Sequence, residues 1–302
     1  MSERPDWAVE GRDWPNRAAS RFIMIGDLRW HVQVSGPEIG SAPVILLLHG
    51  AGAATHSWRD LTPLLADRFT VVAPDLPGQG FTVLPPDHDL SLWGMARRTT
   101  ALIQALDVQP SIVVAHSAGA AIALRMSLDG RFGEAPIIAV NGALQPFAGA
   151  VAPLFRGLAL GLFVNPLAVH LFASAARDRS RVARLIRGTG SMIDDRGLDL
   201  YGRLLRKPGH VAGTLGMMGR WDISDMLRSL PQLRAPLTLV VGSRDQAVPP
   251  SVAQEVRAIL PDATVVPLPG LGHLAHEERP DLIAGIVTDV ATAHGLLQRE
   301  TA

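Results

Sequence analysis

Four continuous apolar runs, at 43–49, 70–74, 111–116 and 136–141, dominate the first half of the chain. A strand that is apolar without alternation must be buried on both faces, which a sheet with one wet side cannot offer. Between the runs, residues 91–106 and 117–128 carry apolar side chains at helical spacing. Strand and helix in alternation give a parallel sheet with helices on both faces, an α/β doubly wound core. Ahead of it, residues 21–36 alternate apolar and polar around Gly26-Asp27, the pattern of a β-hairpin. Residues 1–20 form an irregular arm that Trp7 and Trp14 are expected to pack onto the body.

The rhythm stops at Gly142. From 143 to 231 the chain is helical, rich in Leu, Ala and Arg, and punctuated by Gly and Pro. Strands and helices resume at 236–242, 252–260, 264–268 and 279–297. The expected organisation is one α/β core, 1–142 and 232–302, interrupted by a helical lid over 143–231. A length of 302 residues suits one such domain with an insertion.

Composition removes several function classes. The formal net charge is zero, so no overall field draws the chain to nucleic acid. The absence of cysteine excludes disulfides and thiolate chemistry. The ten histidines show no metal-binding spacing, so neither metal nor cofactor is expected. A polar N-terminus makes the cytoplasm the expected location. Residues 157–176 contain no Asp, Glu, Lys or Arg, close to the ~20 residues of a spanning helix. Asn165-Pro166 breaks that stretch, which reads as two short apolar helices able at most to touch a membrane surface.

The chemistry begins at Val113-Val114-Ala115-His116-Ser117-Ala118-Gly119-Ala120. A buried strand runs into small-x-Ser-x-small, and a helix starts at once. Such a turn exposes the serine hydroxyl, and the N–H of Ala118 at the helix N-terminus points where an oxyanion would form. A serine capping a strand–helix junction is common by itself. The segment resembles the nucleophile elbow of α/β-hydrolases, with Ala115 in place of the usual first glycine.

That resemblance extends along the chain. His49-Gly50-Ala51-Gly52 stands where the family keeps its second oxyanion donor, which implies the N–H of Ala51, with His49 bracing the loop. Asp75-Leu76-Pro77-Gly78-Gln79-Gly80 matches a family loop in which Asp75 is read as fixing the backbone. The acid and base follow in the family's order, Asp245 within Gly242–Pro249 and then His273 after Gly272. His273 is preferred over His276, which falls inside the next helical turn. Serine at neutral pH needs such a base, and the base needs a carboxylate to fix its tautomer. Family members that open epoxides or cleave carbon–halogen bonds use aspartate at the elbow. Ser117 points instead to acyl transfer, above all hydrolysis of an ester, thioester or amide; cofactor-free perhydrolases share the same triad.

Other segments are similar to one subfamily, the magnesium-chelatase accessory proteins of bacteriochlorophyll biosynthesis. They include Glu3-Arg4-Pro5-Asp6-Trp7, the loop 52–60, Asn141-Gly142-Ala143-Leu144, the lid stretch 185–191 and Pro208-Gly209-His210-Val211. This implies a place near magnesium insertion into protoporphyrin IX, with chelatase subunits as partners and a tetrapyrrole as ligand. In the lid, Phe147, Leu154, Phe155, Leu160, Phe163 and Leu171 could roof Ser117. Arg181 and Arg184, in a basic run from Arg177 to Arg187, could bind propionate carboxylates or form a solvated helix face. Three functions stay open: a serine hydrolase of a hydrophobic substrate, a non-enzymatic porphyrin-binding scaffold, and a general carboxylesterase.

Overall fold

Five strands with hardly a polar side chain among them make the centre of the sheet: β3 (Val44–Leu48), β4 (Thr70–Pro74), β5 (Ile112–His116), β6 (Ile137–Val140) and β7 (Leu237–Gly242). The computed structural model describes residues 3–145, 157, 161–163 and 165–298. The hairpin β1 (Ser20–Ile25) and β2 (Leu28–Ser35) joins β4 antiparallel, and β8 (Thr264–Leu268) closes the far edge. The order is β1-β2-β4-β3-β5-β6-β7-β8, parallel from β4 onward.

Helices cover both faces, as fully buried strands require. On one face α2 (Leu92–Ala105) and α3 (Ala118–Leu128) pack Met95, Ile122 and Leu124 against Leu46, Leu48 and Val113. On the other, α1 (Leu61–Leu65) and the last helix, Pro280–Ala293, pack Leu61, Ile283 and Val287 against Ile45, Leu47 and Val114. Ser91 caps α2 by accepting from Gly94 N–H.

The stretch expected as a lid continues with α4 (Pro166–Ala175), α5 (Arg179–Arg187), α6 (Asp195–Leu205), α7 (Pro208–Gly219) and α8 (Ser224–Ser229). Asn165 breaks the apolar run as its sequence implies. Its Oδ1 accepts from Leu167 N–H and Ala168 N–H, and Pro166 begins α4. Among the described residues no helix is long and apolar enough to cross a membrane. Val182, Ala183, Ile186, Leu198 and Tyr201 seat these helices on Ala53 and Leu274 of the core. After β7 come α9 (Ser251–Ile259), the short α10 (Ala275–Glu278) and α11 (Pro280–Ala293).

The N-terminal arm does more than cover the body. Trp14 is buried with Phe81 of the core and Leu200 and Leu204 of α6, and its Nε1–H donates to Thr55 Oγ1 at 2.9 Å. Asp13 pairs with Arg196 and Arg203, while Glu3 and Glu10 both reach Lys207. The arm thus ties α6 and the start of α7 to the loops beside the sheet from outside.

Candidate active site

Ser117 links β5 to α3 with φ 51° and ψ −119°, a region that non-glycine residues avoid. Packing enforces the conformation. A Cβ on Gly119 would lie 2.3 Å from the Leu48 carbonyl, and one on Gly50 would lie 3.0 Å from Ser117 Cβ. Ala115, where the family usually has glycine, sits fully buried between Leu48 and Ala139, so its methyl group is absorbed into the sheet.

Asp245 follows β7, and His273 precedes α10. The His273 Nδ1–H donates to Asp245 Oδ2 at 2.7 Å. Asp245 Oδ1 accepts from Ala247 N–H and Val248 N–H, each at 2.8 Å. A carboxylate only accepts, so Nδ1 carries the proton and Nε2 is left with a lone pair able to take one. Ser117 and His273 line one cavity of about 590 Å³, together with Ala51 and Ala118. Ser117 Oγ and His273 Nε2 have no hydrogen-bond partner among the described residues, and their own bond is not formed here. Catalytic hydrogen bonds of this type often tighten only when substrate binds.

The neighbouring histidines serve the scaffold. His276 lies in α10 as expected, and its Nε2–H donates to Ser57 Oγ at 2.7 Å. Burial pushes it, His116 and His56 well below the usual histidine range. His49 braces its loop, donating to Gly50 O and accepting from Leu76 N–H. Asp75 fixes the backbone by accepting from Thr55 N–H, Phe81 N–H and His31 Nδ1–H. Burial opposes its charge, but the His31 ring and the Phe81 amide hold its carboxyl down to about 2.

Several supporting residues went unassigned in the sequence. Asn141, at the end of β6 with φ 47°, donates through Nδ2 to Gly272 O and His273 O and accepts at Oδ1 from Gly242 N–H. The His116 Nε2–H donates to His273 O at 2.9 Å. From the lid, Thr189 O accepts from Gln246 N–H and His273 N–H, and Ser191 Oγ accepts from Leu274 N–H at 2.7 Å. Glu277 is buried among Ser57, Tyr201 and Arg59, and Arg59 reaches Asp194 at the start of α6. The loops bearing Asp245 and His273 are therefore held by residues of the inserted helical stretch. Asn141, Ser57, Arg59, Thr189 and Ser191 all stand in the segments that carry the subfamily resemblance, which was the available signal.

The loop around Ala51 is held in the same manner. Gly52 N–H donates to Gln79 Oε1 at 2.6 Å, and Gly52 O accepts from the His210 Nε2–H at 3.2 Å. His210 also accepts from Gly80 N–H, so this lid residue joins two core loops. Burial holds His210 down to about 4, against an ordinary 6.5. A depressed histidine favours the folded state above its unfolded pKa and loses that contribution as pH falls through the folded value. Acidification from 6.5 to 4 therefore removes about 3 kcal/mol through His210. In melts between pH 7 and 4.5, His210→Gln should show a shallower fall in Tm than the parent chain; parallel curves would dismiss this role.

The lid residues meet mixed outcomes. Phe163 packs on Gly216 and lies under the Arg220 guanidinium, at 4.8 Å. Phe147, Leu154, Phe155 and Leu160 lie outside the described residues. Leu171 is exposed and does not reach the cavity. Arg181 and Arg184 do not face it either: Val182, Ala183 and Ile186 turn inward, which leaves both arginines on the outer face of α5. That inward stripe was legible in the sequence as a helical i, i+1, i+4 pattern. Arg181 borders a separate surface groove with Arg177 and Asp178. The cavity wall is supplied instead by Phe172, Ile186, Leu205, Met217, Met218 and Trp221, with no charged Asp, Glu, Lys or Arg among its described residues.

A model of the alpha/beta hydrolase fold family matches residues 43–280. The chain belongs to that family. This α/β-hydrolase is also 38% identical, over 92% of its own length and 96% of the relative's, to the magnesium-chelatase 30 kDa subunit of Rhodobacter capsulatus. Solved structures with the same fold include a putative lipase from Acinetobacter baumannii (TM-score 0.74, 21% identity, 91% of this chain and 92% of that one). An enol-lactonase from Burkholderia xenovorans gives a TM-score of 0.72 at 19% identity, covering 90% of this chain and all of the other. Among the described residues no cluster of histidine or carboxylate side chains could hold a metal ion.

Proposed function

We propose that this α/β-hydrolase cleaves an ester, or a related acyl bond, of a bulky apolar substrate by a covalent serine mechanism. The observation that carries the reading is the strained Ser117 sharing a cavity with the His273–Asp245 pair and the backbone of Ala51 and Ala118. Ser117 Oγ bonds to the acyl carbon as its proton passes to His273 Nε2. The carbonyl oxygen gains the negative charge and receives the N–H groups of Ala51 and Ala118, neither of which donates to another described acceptor. Collapse expels the alcohol with the proton from His273, and water, deprotonated by the same base, releases the acid. The described part of the wall carries no Asp, Glu, Lys or Arg, which suits an uncharged, lipophilic acyl substrate.

Similarity to the Rhodobacter capsulatus protein supports a setting beside magnesium chelatase, with a tetrapyrrole ester as substrate class. A second reading, a tetrapyrrole-binding scaffold without catalysis, draws on the same cavity and on the similarity to a chelatase subunit. A fluorophosphonate probe distinguishes the two. The parent chain should be labelled and Ser117→Ala should not; absence of labelling in both would leave the scaffold. Pigment recovery in a bacteriochlorophyll-producing strain lacking its own copy, with the parent chain but not Ser117→Ala, would place the covalent step in that pathway and set aside a general carboxylesterase.

A further inference from the structure

Helix α4 contains no Asp, Glu, Lys or Arg, yet only Val169 and Ala173 are buried. Leu167, Leu171 and Phe172 are 68%, 64% and 45% exposed. His170 and Ser174 are the polar side chains exposed with them, and large exposed apolar side chains grouped on one element mark a contact surface. Beside it, α5 exposes Leu185 together with Arg181, Arg184 and Arg187, and Arg177 stands exposed in the connecting turn. One shallow groove carries Leu171, Ala175, Arg177 and Arg181, so apolar and basic groups share a continuous surface. Asp178 is the single carboxylate in this stretch, and it is engaged in capping α5 and pairing Arg181. Phe172 and Leu185 belong also to the wall of the Ser117 cavity, so the patch runs into the site.

We propose that this face of the lid seats on an anionic lipid surface. Leu167 and Leu171 enter the boundary between headgroups and acyl chains while Arg177 and Arg181, which share the groove with Leu171, meet lipid phosphates. The charge decides against a second copy of the chain, because a twofold contact would oppose each arginine cluster to itself. Seated in this way, the cavity wall at Phe172 and Leu185 adjoins the bilayer, and a lipophilic ester reaches Ser117 without crossing water. Delivery of the ester rests on the hydrolase reading, whereas the docking does not.

The test is co-sedimentation of the full chain with phosphatidylcholine vesicles, with and without phosphatidylglycerol. Binding is expected to the anionic vesicles and to weaken with salt. Leu167→Ser/Leu171→Ser and Arg177→Glu/Arg181→Glu should each lower partitioning about tenfold or more. Neither pair touches the site, so hydrolysis of a short water-soluble aryl ester should be unchanged, which also reports that the variants are folded. Ser117→Ala should bind vesicles like the parent chain, so inactivity toward esters would sink the hydrolase reading and leave the docking standing. No binding to anionic vesicles, equal binding to neutral ones, or binding indifferent to both double variants would overturn the proposal. So would loss, in the leucine variant, of a dimer seen in the parent chain.

Discussion

Asp245→Asn should lower kcat for ester hydrolysis by about 10⁴-fold while the fold remains intact. The reason is local. Ala247 N–H and Val248 N–H both donate to Asp245 Oδ1, so an amide at this position must turn its oxygen toward them. Its NH₂ group then faces His273 Nδ1, 2.7 Å from the atom it replaces. The imidazole can answer only by accepting at Nδ1 and carrying its proton on Nε2, the nitrogen that must take the proton from Ser117. On the proposed mechanism the variant keeps the Ala51 and Ala118 N–H groups and the cavity but has the wrong tautomer. Steady-state rates on an aryl ester, with circular dichroism to verify the fold, decide the matter. A loss below tenfold would mean that Asp245 does not set the state of His273, and that another carboxylate or none fills that role.

Arg59→Ala should destabilise the protein by about 3–5 kcal/mol, because it leaves a buried carboxylate without its counter-charge. Arg59 is 7% exposed, and the Glu277 beside it is 6% exposed. Burial opposes the Arg59 charge, yet Glu277, with Asp60 and Asp194, raises it above the ordinary arginine value. Glu277 retains Ser57 and Tyr201 as donors, but neither brings a positive charge. The expected fall in Tm is on the order of 10 °C. The lid should loosen first, since Arg59 to Asp194 and Tyr201 to Glu277 are contacts between lid and core. Urea melts of Arg59→Ala and of Arg59→Met/Glu277→Gln test this. The double variant removes both charges and should recover much of the loss. Equal stability of parent and single variant would show that the cluster does not hold the lid.

Much of the fold, and the placement of the candidate site residues, was legible without coordinates because it depends on short stretches. The apolar runs at 43–49 and 111–116 announce doubly covered strands, since no other environment tolerates them. Ser117, Asp245 and His273 each lie beside a strand end, and the glycines near them answer to backbone collisions that local sequence already implies. Asn165-Pro166 likewise cuts an apolar stretch in two by local capping alone.

The tertiary structure alone decided how the inserted helices relate to Ser117, Asp245 and His273. The stripe Val182, Ala183 and Ile186 can be seen in the sequence, but only the packing shows that it seats on Ala53 and Leu274 and so leaves Arg181 and Arg184 off the cavity. Nothing near Thr189 or Ser191 in sequence indicates that they accept from His273 and Leu274, over 80 positions away. Asn141 looks like the end of a strand until the chain brings Gly242 and His273 to it. Local sequence determines backbone conformation through sterics and hydrophobic period, which act over a few residues. Which distant polar groups find each other depends on how helices and loops pack, and that is set only when the whole chain has closed around its core.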